Sequence, residues 1–319
     1  MSATREQRLE QALFRGGALT FANAAYLQAV CALTETLLQS DLASGDLTAK
    51  ALGLNDRNTS ASVIARQGGV AAGLEEFALL LRGRGVDVVL EKNDGDVVRP
   101  GETLLQAEGK ESELLGLERV GLNLLQRMSG IATTARCLQE RVRQRNSATR
   151  IVGTRKTPWG LLDKRALHLG GVGTHRLGLG DAILIKNNHL ARLAAREEDA
   201  VPLAIEKAWK FRAESEFIEI EVRGEAAARA AARAFRRLQE VASEQYPCLL
   251  MLDNMTPAEI GAILEMLHRE NLWDHALIEA SGGISESNVE GYAACGVDAV
   301  SIGALTHSAR ALDLCQRIS

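Results

Sequence analysis

The chain has 319 residues, 46% of them hydrophobic and 24% charged, with a formal net charge of −4 at pH 7. It is long enough for one large domain or two, and the small negative charge argues against a nucleic-acid-binding surface as its main business. The first 17 residues mix charges of both signs without the apolar core of a signal peptide, and no run approaches a membrane span, so the expected compartment is the cytoplasm.

Residues 6–14 and 21–38 carry helically spaced apolar groups, with Gly16-Gly17 as the break between two helices. Next, Ser40-Asp41 and Ser44-Gly45-Asp46 are turn and cap residues, and on pattern alone this stretch reads as a connecting loop. Strand patterns at 62–66, 86–91, 96–98 and 103–107, with a helical stretch at 74–81, predict a small α+β domain. Residues 113–143 show a helical period interrupted near Ser129-Gly130, which predicts a helix pair or a kinked helix. Arg119 lies in its first turns among apolar neighbours, where an arginine is ordinarily a snorkelling surface residue.

After Arg150 the rhythm is regular. Apolar runs at 151–152, 182–185, 217–222, 249–252, 277–280 and 299–302 alternate with longer segments, several of them helical in pattern. Such alternation implies parallel strands joined by right-handed crossovers. No GxGxxG follows a first strand, so the dinucleotide-binding version lacks its usual signal. Almost every run ends in a chemically capable group: Arg155-Lys156, Lys186, Glu219 with Glu221, Asp253-Asn254, Glu279 with Ser281, and Gly303. That distribution favours a barrel, whose active site collects the C-terminal ends of many strands.

The stretch 151–189 concentrates Arg155, Lys156, His175, Arg176, Lys186 and His189, with His175-Arg176 just after the glycine-rich 170–173. One such pair alone is ordinarily solvated surface; three, each beside a strand or glycine run, point to a polyanionic ligand. Ser281-Gly282-Gly283 and the run from Ser301 through Gly303 to His307 look like the phosphate-cradling loops after the last two strands. Glu221 and Asp253 offer hard oxygen donors of the kind Mg²⁺ takes when shared with substrate phosphates, although pairing to Arg or Lys is the rival role. The five scattered cysteines read as free thiols in a reducing compartment.

In the order in which they stand, SDLASGDLT, DGDVVRPGETLL, LERVGLNLLQRMSGIAT, GTRKT, HRLGLGDAILIKNNH, IEIEV, LLMLDNM, EASGGI and IGALTHS resemble the quinolinate phosphoribosyltransferase family along almost the whole chain. The resemblance implies an α/β protein: an N-terminal α/β sandwich (1–122), an incomplete, open α/β barrel (123–308), and a C-terminal helix (309–319) returning to the first domain. It implies phosphoribosyl transfer from 5-phosphoribosyl 1-pyrophosphate to quinolinate, with decarboxylation to nicotinate mononucleotide, by a homodimer or higher even oligomer with shared active sites. Arg155, His175, Arg176 and the partner subunit's Arg119 would hold the two carboxylates of quinolinate. Lys156 and Lys186 would face both substrates, and Glu221 with Asp253 the ribose hydroxyls and Mg²⁺. Ser281, Gly282, Gly283, Gly303 and His307 would line the phosphate side. A membrane or nucleic-acid partner is not expected. After Thr157 the chain departs from the family: it reads Pro-Trp-Gly-Leu-Leu-Asp-Lys, with a shortened spacer, and Thr174 stands where asparagine is common. The alternatives are a paralogue using another aromatic acid and a non-catalytic phosphoribosyl- or nucleotide-binding protein.

Overall fold

The computed structural model describes residues 4–54 and 57–319. Its elements fall into two compact units, each assembled from separated segments: 16–137, 157–171 and 305–319 in one, and residues up to 15, 138–156 and 172–304 in the other. The first helix, α1 (Arg5–Leu13), therefore counts with the strands of the second half and not with the N-terminal sandwich in which the sequence reading placed it.

In the first unit, α2 (Ala24–Leu42) starts where the Asn23 side chain accepts the Ala25 and Tyr26 N–H groups, an N-cap that satisfies donors the helix leaves open. The expected loop after residue 38 is instead helix to Leu42, followed by α3 (Leu47–Leu52), which Asp46 caps and Gly53 ends at φ 63°. Then come β1 (Asn58–Ala65), β2 (Gly69–Val70), α4 (Leu74–Arg82), β3 (Asp87–Leu90), β4 (Val97–Val98) and β5 (Thr103–Lys110). The C-terminal residues form a strand, Leu314–Ile318, antiparallel to β1, so the sheet runs C-terminal strand, β1, β5, β3. This corrects the expected C-terminal helix: five residues meet an open sheet edge, where the ladder supplies backbone partners that a single helical turn would leave unmet. A core including Val63, Phe77, Leu105, Leu117 and Leu314 lies within this unit.

The 35-residue helix α5 (Glu111–Arg145) runs unbroken through Ser129-Gly130. Those two residues mark a packing site. Ser129 Oγ bonds both the N–H and the C=O of Ala72, and a Cβ on Gly130 would stand 1.8 Å from the Arg310 carbonyl oxygen. Glycine is there for close backbone approach, which sequence pattern alone cannot separate from a break.

In the second unit the strands β6 (Arg150–Val152), β7 (Ile183–Ile185), β8 (Ile218–Val222), β9 (Cys248–Asp253), β10 (Leu277–Ser281) and β11 (Ala299–Ser301) form one parallel sheet in the order β6-β11-β10-β9-β8-β7. It is an open α/β barrel, with Gly173 bridging parallel to Val152 at its β6 edge. The α6 helix (Leu161–Leu169), between β6 and β7, counts with the first unit; after β7 come α7 (Asn187–Leu190), α8 (Glu197–Trp209), α9 (Glu225–Ala242), α10 (Pro257–Arg269) and α11 (Val289–Ala294), of which α8 and α9 pack against β8. Among the described residues no helix is long and apolar enough to cross a membrane.

Gly130→Ala tests the close approach at α5. An alanine inside an unconstrained helix would add up to about 1 kcal/mol of stability, whereas overpacking against a carbonyl should cost about 3 kcal/mol. The midpoint of urea unfolding should therefore fall; a rise would show that the contact imposes nothing.

Candidate active site

Side chains two apart on a strand share a face, so steps of two from the apolar cluster at the strand starts sort the inner face of the barrel into levels. Ala182, Phe217, Leu249, Leu277 and Ala299, each within one residue of a strand start, form an apolar floor with Leu9, Ala12 and Leu13 of α1. Two residues further along stand Leu184, Glu219, Met251, Glu279 and Ser301, and two further again Glu221, Asp253 and Ser281. The face thus turns from apolar to ionisable to ligand-facing within a few residues. At its C-terminal end lies a cavity of about 360 Å³, lined by Arg155, Lys156, His175, Arg176, Lys186, Glu221, Asp253, Ser281, Gly282 and Gly283 together with Thr154, Leu184, Met251, Asn254, Glu279 and Ser301.

The cavity rim carries both signs of charge. Burial and the neighbouring Arg155 hold the Arg176 guanidinium below its ordinary pKa, and its Nη1 donates to the Ala182 carbonyl at 3.2 Å. Glu221 is raised by burial and by Asp253 beside it, while Asn187 Nδ2 donates to Glu221 Oε1 at 2.7 Å. Exposed Arg223 lies 3.2 Å from Asp253 and 3.8 Å from Glu221, so the ion-pair role is present for both carboxylates. Gly282 sits at φ 89°, and a Cβ there would meet Asn254 Oδ1 at 2.4 Å. Glycine is required at that turn on both counts. Ser301 Oγ donates to Ser281 Oγ at 2.9 Å, tying the ends of the last two strands together.

Below the rim, His175 adopts φ 55°, a left-handed conformation that strains a non-glycine residue. Its Nε2 lies 2.9 Å from Glu219 and 3.4 Å from Glu279, both fully buried, and its Nδ1 accepts the Arg176 N–H at 2.8 Å. Burial alone would disfavour a charged ring, but the two glutamates outweigh it and raise the His175 pKa to about 9. Glu219 is itself pushed up to about 7 by burial and by Glu279. A second ring proton would have to go on Nδ1, so charging the imidazole and keeping the Arg176 bond are alternatives. His175, Glu219 and Glu279 place ligand-type atoms within 4.8 Å of one another. The Arg176 bond leaves the imidazole proton on Nε2, however, and a protonated nitrogen has no lone pair for a metal.

Ten of the residues read from sequence thus meet in one cavity. Gly303 follows β11 in the same unit but does not line it, while Arg119, exposed on α5, and His307 belong to the other unit. The reading from sequence had Glu219 and Glu279 as strand ends without a role. The i, i+2 spacing in Ile-Glu-Ile-Glu-Val was the available signal: it puts Glu219 on the inner face one level below Glu221. Asn254 and Ser301, named from sequence as a strand end and the start of a loop, do line the cavity, whereas Thr154, Leu184 and Met251 could be found only from the folded chain.

An open α/β barrel with arginines, lysines, paired carboxylates and glycine turns at its C-terminal end defines an enzyme class that joins anionic substrates. Residues 46–129 match the family described as quinolinate phosphoribosyl transferase, N-terminal domain, and residues 131–316 the C-terminal domain of the same family. The chain belongs to the quinolinate phosphoribosyl transferase family. It is 37% identical over 284 residues to the probable nicotinate-nucleotide pyrophosphorylase [carboxylating] of Methanothermobacter thermautotrophicus, covering 87% of this chain and 95% of that one. It is 32% identical to quinolinate phosphoribosyltransferase [decarboxylating] 1b of Nicotiana tabacum, covering 86% of this chain and 77% of that one. Among solved structures, NadC from Streptococcus pyogenes superposes with a TM-score of 0.76 at 30% identity, covering 91% of this chain and 96% of that one. The nicotinate-nucleotide pyrophosphorylase of Francisella tularensis gives 0.76 at 28% identity over 92% and 96%.

The buried trio makes stability depend on pH with a definite sign. Glu219, raised from 4.5 to about 7, holds its proton more tightly folded than unfolded, so stability falls as pH rises through that window. His175, raised from 6.5 to about 9, contributes stability that is complete below 6.5 and lost as pH rises through 9. Removing Glu279 weakens both shifts. The melting temperature of Glu279→Gln should therefore fall less between pH 5 and pH 9 than that of the parent; an equal or steeper fall would refute the coupling.

Proposed function

We propose that this chain transfers the phosphoribosyl group of 5-phosphoribosyl 1-pyrophosphate to quinolinate, releasing pyrophosphate and carbon dioxide and forming nicotinate mononucleotide for NAD biosynthesis in the cytoplasm. The observation that carries this reading is the convergence of Arg155, Lys156, Arg176 and Lys186 with Glu221 and Asp253 on one cavity. A pyridine dicarboxylate and a pyrophosphate-bearing sugar bring several negative charges together, and only a cationic site lets them approach. The Arg155 and Arg176 forks suit carboxylates, and Lys156 and Lys186 suit phosphate as point charges. Arg119 of the partner subunit completes the carboxylate clamp in a homodimer, consistent with the exposure of its side chain. Gly282 and Gly283 let backbone N–H groups approach the phosphates.

As the bond from ribose C1 to pyrophosphate oxygen breaks, C1 gains cation character, and the Glu221 and Asp253 carboxylates face that charge. The pyridine nitrogen supplies the electron pair of the new C1–N bond. The cationic ring then accepts the pair left at C2 when carbon dioxide departs, and a proton closes C2. The side chains orient and neutralise; no covalent nucleophile is required. The facing carboxylates also fit Mg²⁺: Glu221 is raised partly by Asp253, a repulsion that a shared divalent cation relieves, and both donors are hard oxygens. When bound, the cation would neutralise oxygens of the leaving pyrophosphate.

Purified protein incubated with both substrates and Mg²⁺ should form nicotinate mononucleotide and carbon dioxide in equal amounts, and addition of EDTA should stop both. Turnover of a different aromatic acid only would replace this reading with the paralogue. Arg155→Ala should lower kcat/KM at least about 100-fold with an unchanged melting temperature, the loss expected when a positioned charge-assisted contact is removed; near-parental activity would remove Arg155 from the site. Mixing Arg119→Ala with Lys186→Ala chains should restore part of the activity, since one site of the mixed dimer is intact. Absence of restoration in verified heterodimers would exclude a shared site.

A further inference from the structure

The mechanism above leaves unused the segment that ends α1. Leu13 O accepts the His175 N–H at 3.0 Å and the Thr174 hydroxyl at 3.3 Å, and the same Thr174 oxygen takes the Arg15 N–H at 3.2 Å. The Arg15 side chain reaches the other end of the same loop: its guanidinium lies 3.4 Å from Asp181 and 2.6 Å from Glu216. Asp181 in turn accepts the Leu177 N–H at 2.8 Å. One residue thus grips the segment 174–181 before His175 and after Arg176, and the strained φ of His175 lies between the two grips. A Cβ on Gly173 would stand 3.0 Å from Leu13 O and 2.7 Å from Val152, so the α1 exit is seated without slack.

We propose that Arg15 and Thr174 are positioning residues for the acceptor side of the site, fixing Arg176 where it receives a carboxylate of the substrate. The assignment rests on reading this cavity as the dicarboxylate pocket. Buried Arg176 and exposed Arg155 line the same cavity with like charge, which gives the loop carrying Arg176 an electrostatic reason to swing away before a dianion arrives, against the pull of Asp181 and Glu219. The Arg15 grip opposes that swing through bonds that touch neither substrate. Thr174 is the hydroxyl on which the grip closes: its oxygen accepts the Arg15 N–H, while its single proton faces the carbonyls of His175 at 2.9 Å and Leu13 at 3.3 Å.

The test uses the full-length protein with Arg15→Ala, Thr174→Val and Thr174→Ser. Calorimetric titration should show quinolinate binding weakened about tenfold or more in Arg15→Ala and Thr174→Val, the scale expected when a binding group is displaced from its working position. Thr174→Ser, which keeps the hydroxyl, should bind like the parent, and the affinity for phosphoribosyl pyrophosphate should change less than about twofold in all three, because no phosphate contact is touched. Parental quinolinate affinity in Arg15→Ala and Thr174→Val would overturn the proposal. So would equal weakening for both ligands, which is the mark of general structural damage. Amide hydrogen exchange across 174–181 should also rise in Arg15→Ala without any ligand, and unchanged exchange would overturn the grip itself. If the parent bound phosphoribosyl pyrophosphate but not quinolinate, while exchange rose as expected, the acceptor reading would fail and the grip would stand.

Discussion

The repulsion between Arg155 and Arg176 in a partly buried cavity is the constraint to which the rest of the barrel answers. Both burial and the neighbouring charge disfavour the Arg176 guanidinium as it stands, so the free site is less stable than an apolar one of the same shape. A doubly negative acceptor reverses both effects at once. Such a site binds its ligand well because it is uncomfortable without it, and it must be held open by contacts elsewhere. Those contacts are the Ala182 carbonyl on Arg176 and the α1 exit on either side.

The scaffold supplies this rigidity through a division by height. At the strand starts the inner face is apolar and is closed by Leu9, Ala12 and Leu13 of α1, in contact with Phe217, Leu249 and Leu277. Burial of this kind contributes about 25 cal/mol per Å² removed from water, and it lies at the end of the barrel where no chemistry is required. The apolar floor and the polar cavity wall are therefore carried by different levels of the same strands. Leu249, Met251 and Asp253 on β9 show the change in one element: core, cavity wall and rim carboxylate at successive inward positions.

Much of this was legible in the sequence because parallel strands announce themselves as short apolar runs and their ends as polar residues. All six runs after residue 150 are strands, and the groups at their ends meet in one cavity, apart from Glu219, which lies beneath it, and Gly303. The α1 helix was read correctly as a helix, but its place was not, since an amphipathic pattern states that a face is buried and not against what. Gly130 was misread for a related reason: a glycine inside a helical period looks the same whether it breaks the helix or admits the Arg310 backbone. The C-terminal strand gave no distinctive pattern over five residues, because it takes its ladder from β1, about 250 positions away. At His175 residue type pointed to substrate, yet both ring nitrogens are engaged within the protein, by Glu219 and Glu279 on one side and the Arg176 N–H on the other.

Glu219 and Glu221 show how depth alone assigns chemistry. They stand two residues apart on β8, face the same interior and have the same side chain. Glu219, one level lower, is sealed beneath His175 beside Glu279, and its charge is spent on orienting a ring that orients an arginine. Glu221, one level higher, lines the cavity beside Asp253, where Asn187 holds one of its oxygens and the other is available to a ligand or a cation. Each carboxylate has a second carboxylate as neighbour, and each is pushed up by burial first and by that neighbour second. The lower pair relieves its repulsion with groups the protein already owns. The upper pair has exposed Arg223 beside it and a cavity in front of it, so its charge can be shared with what enters from outside, and that difference in depth separates a foundation from a cavity wall on one strand of alternating residues.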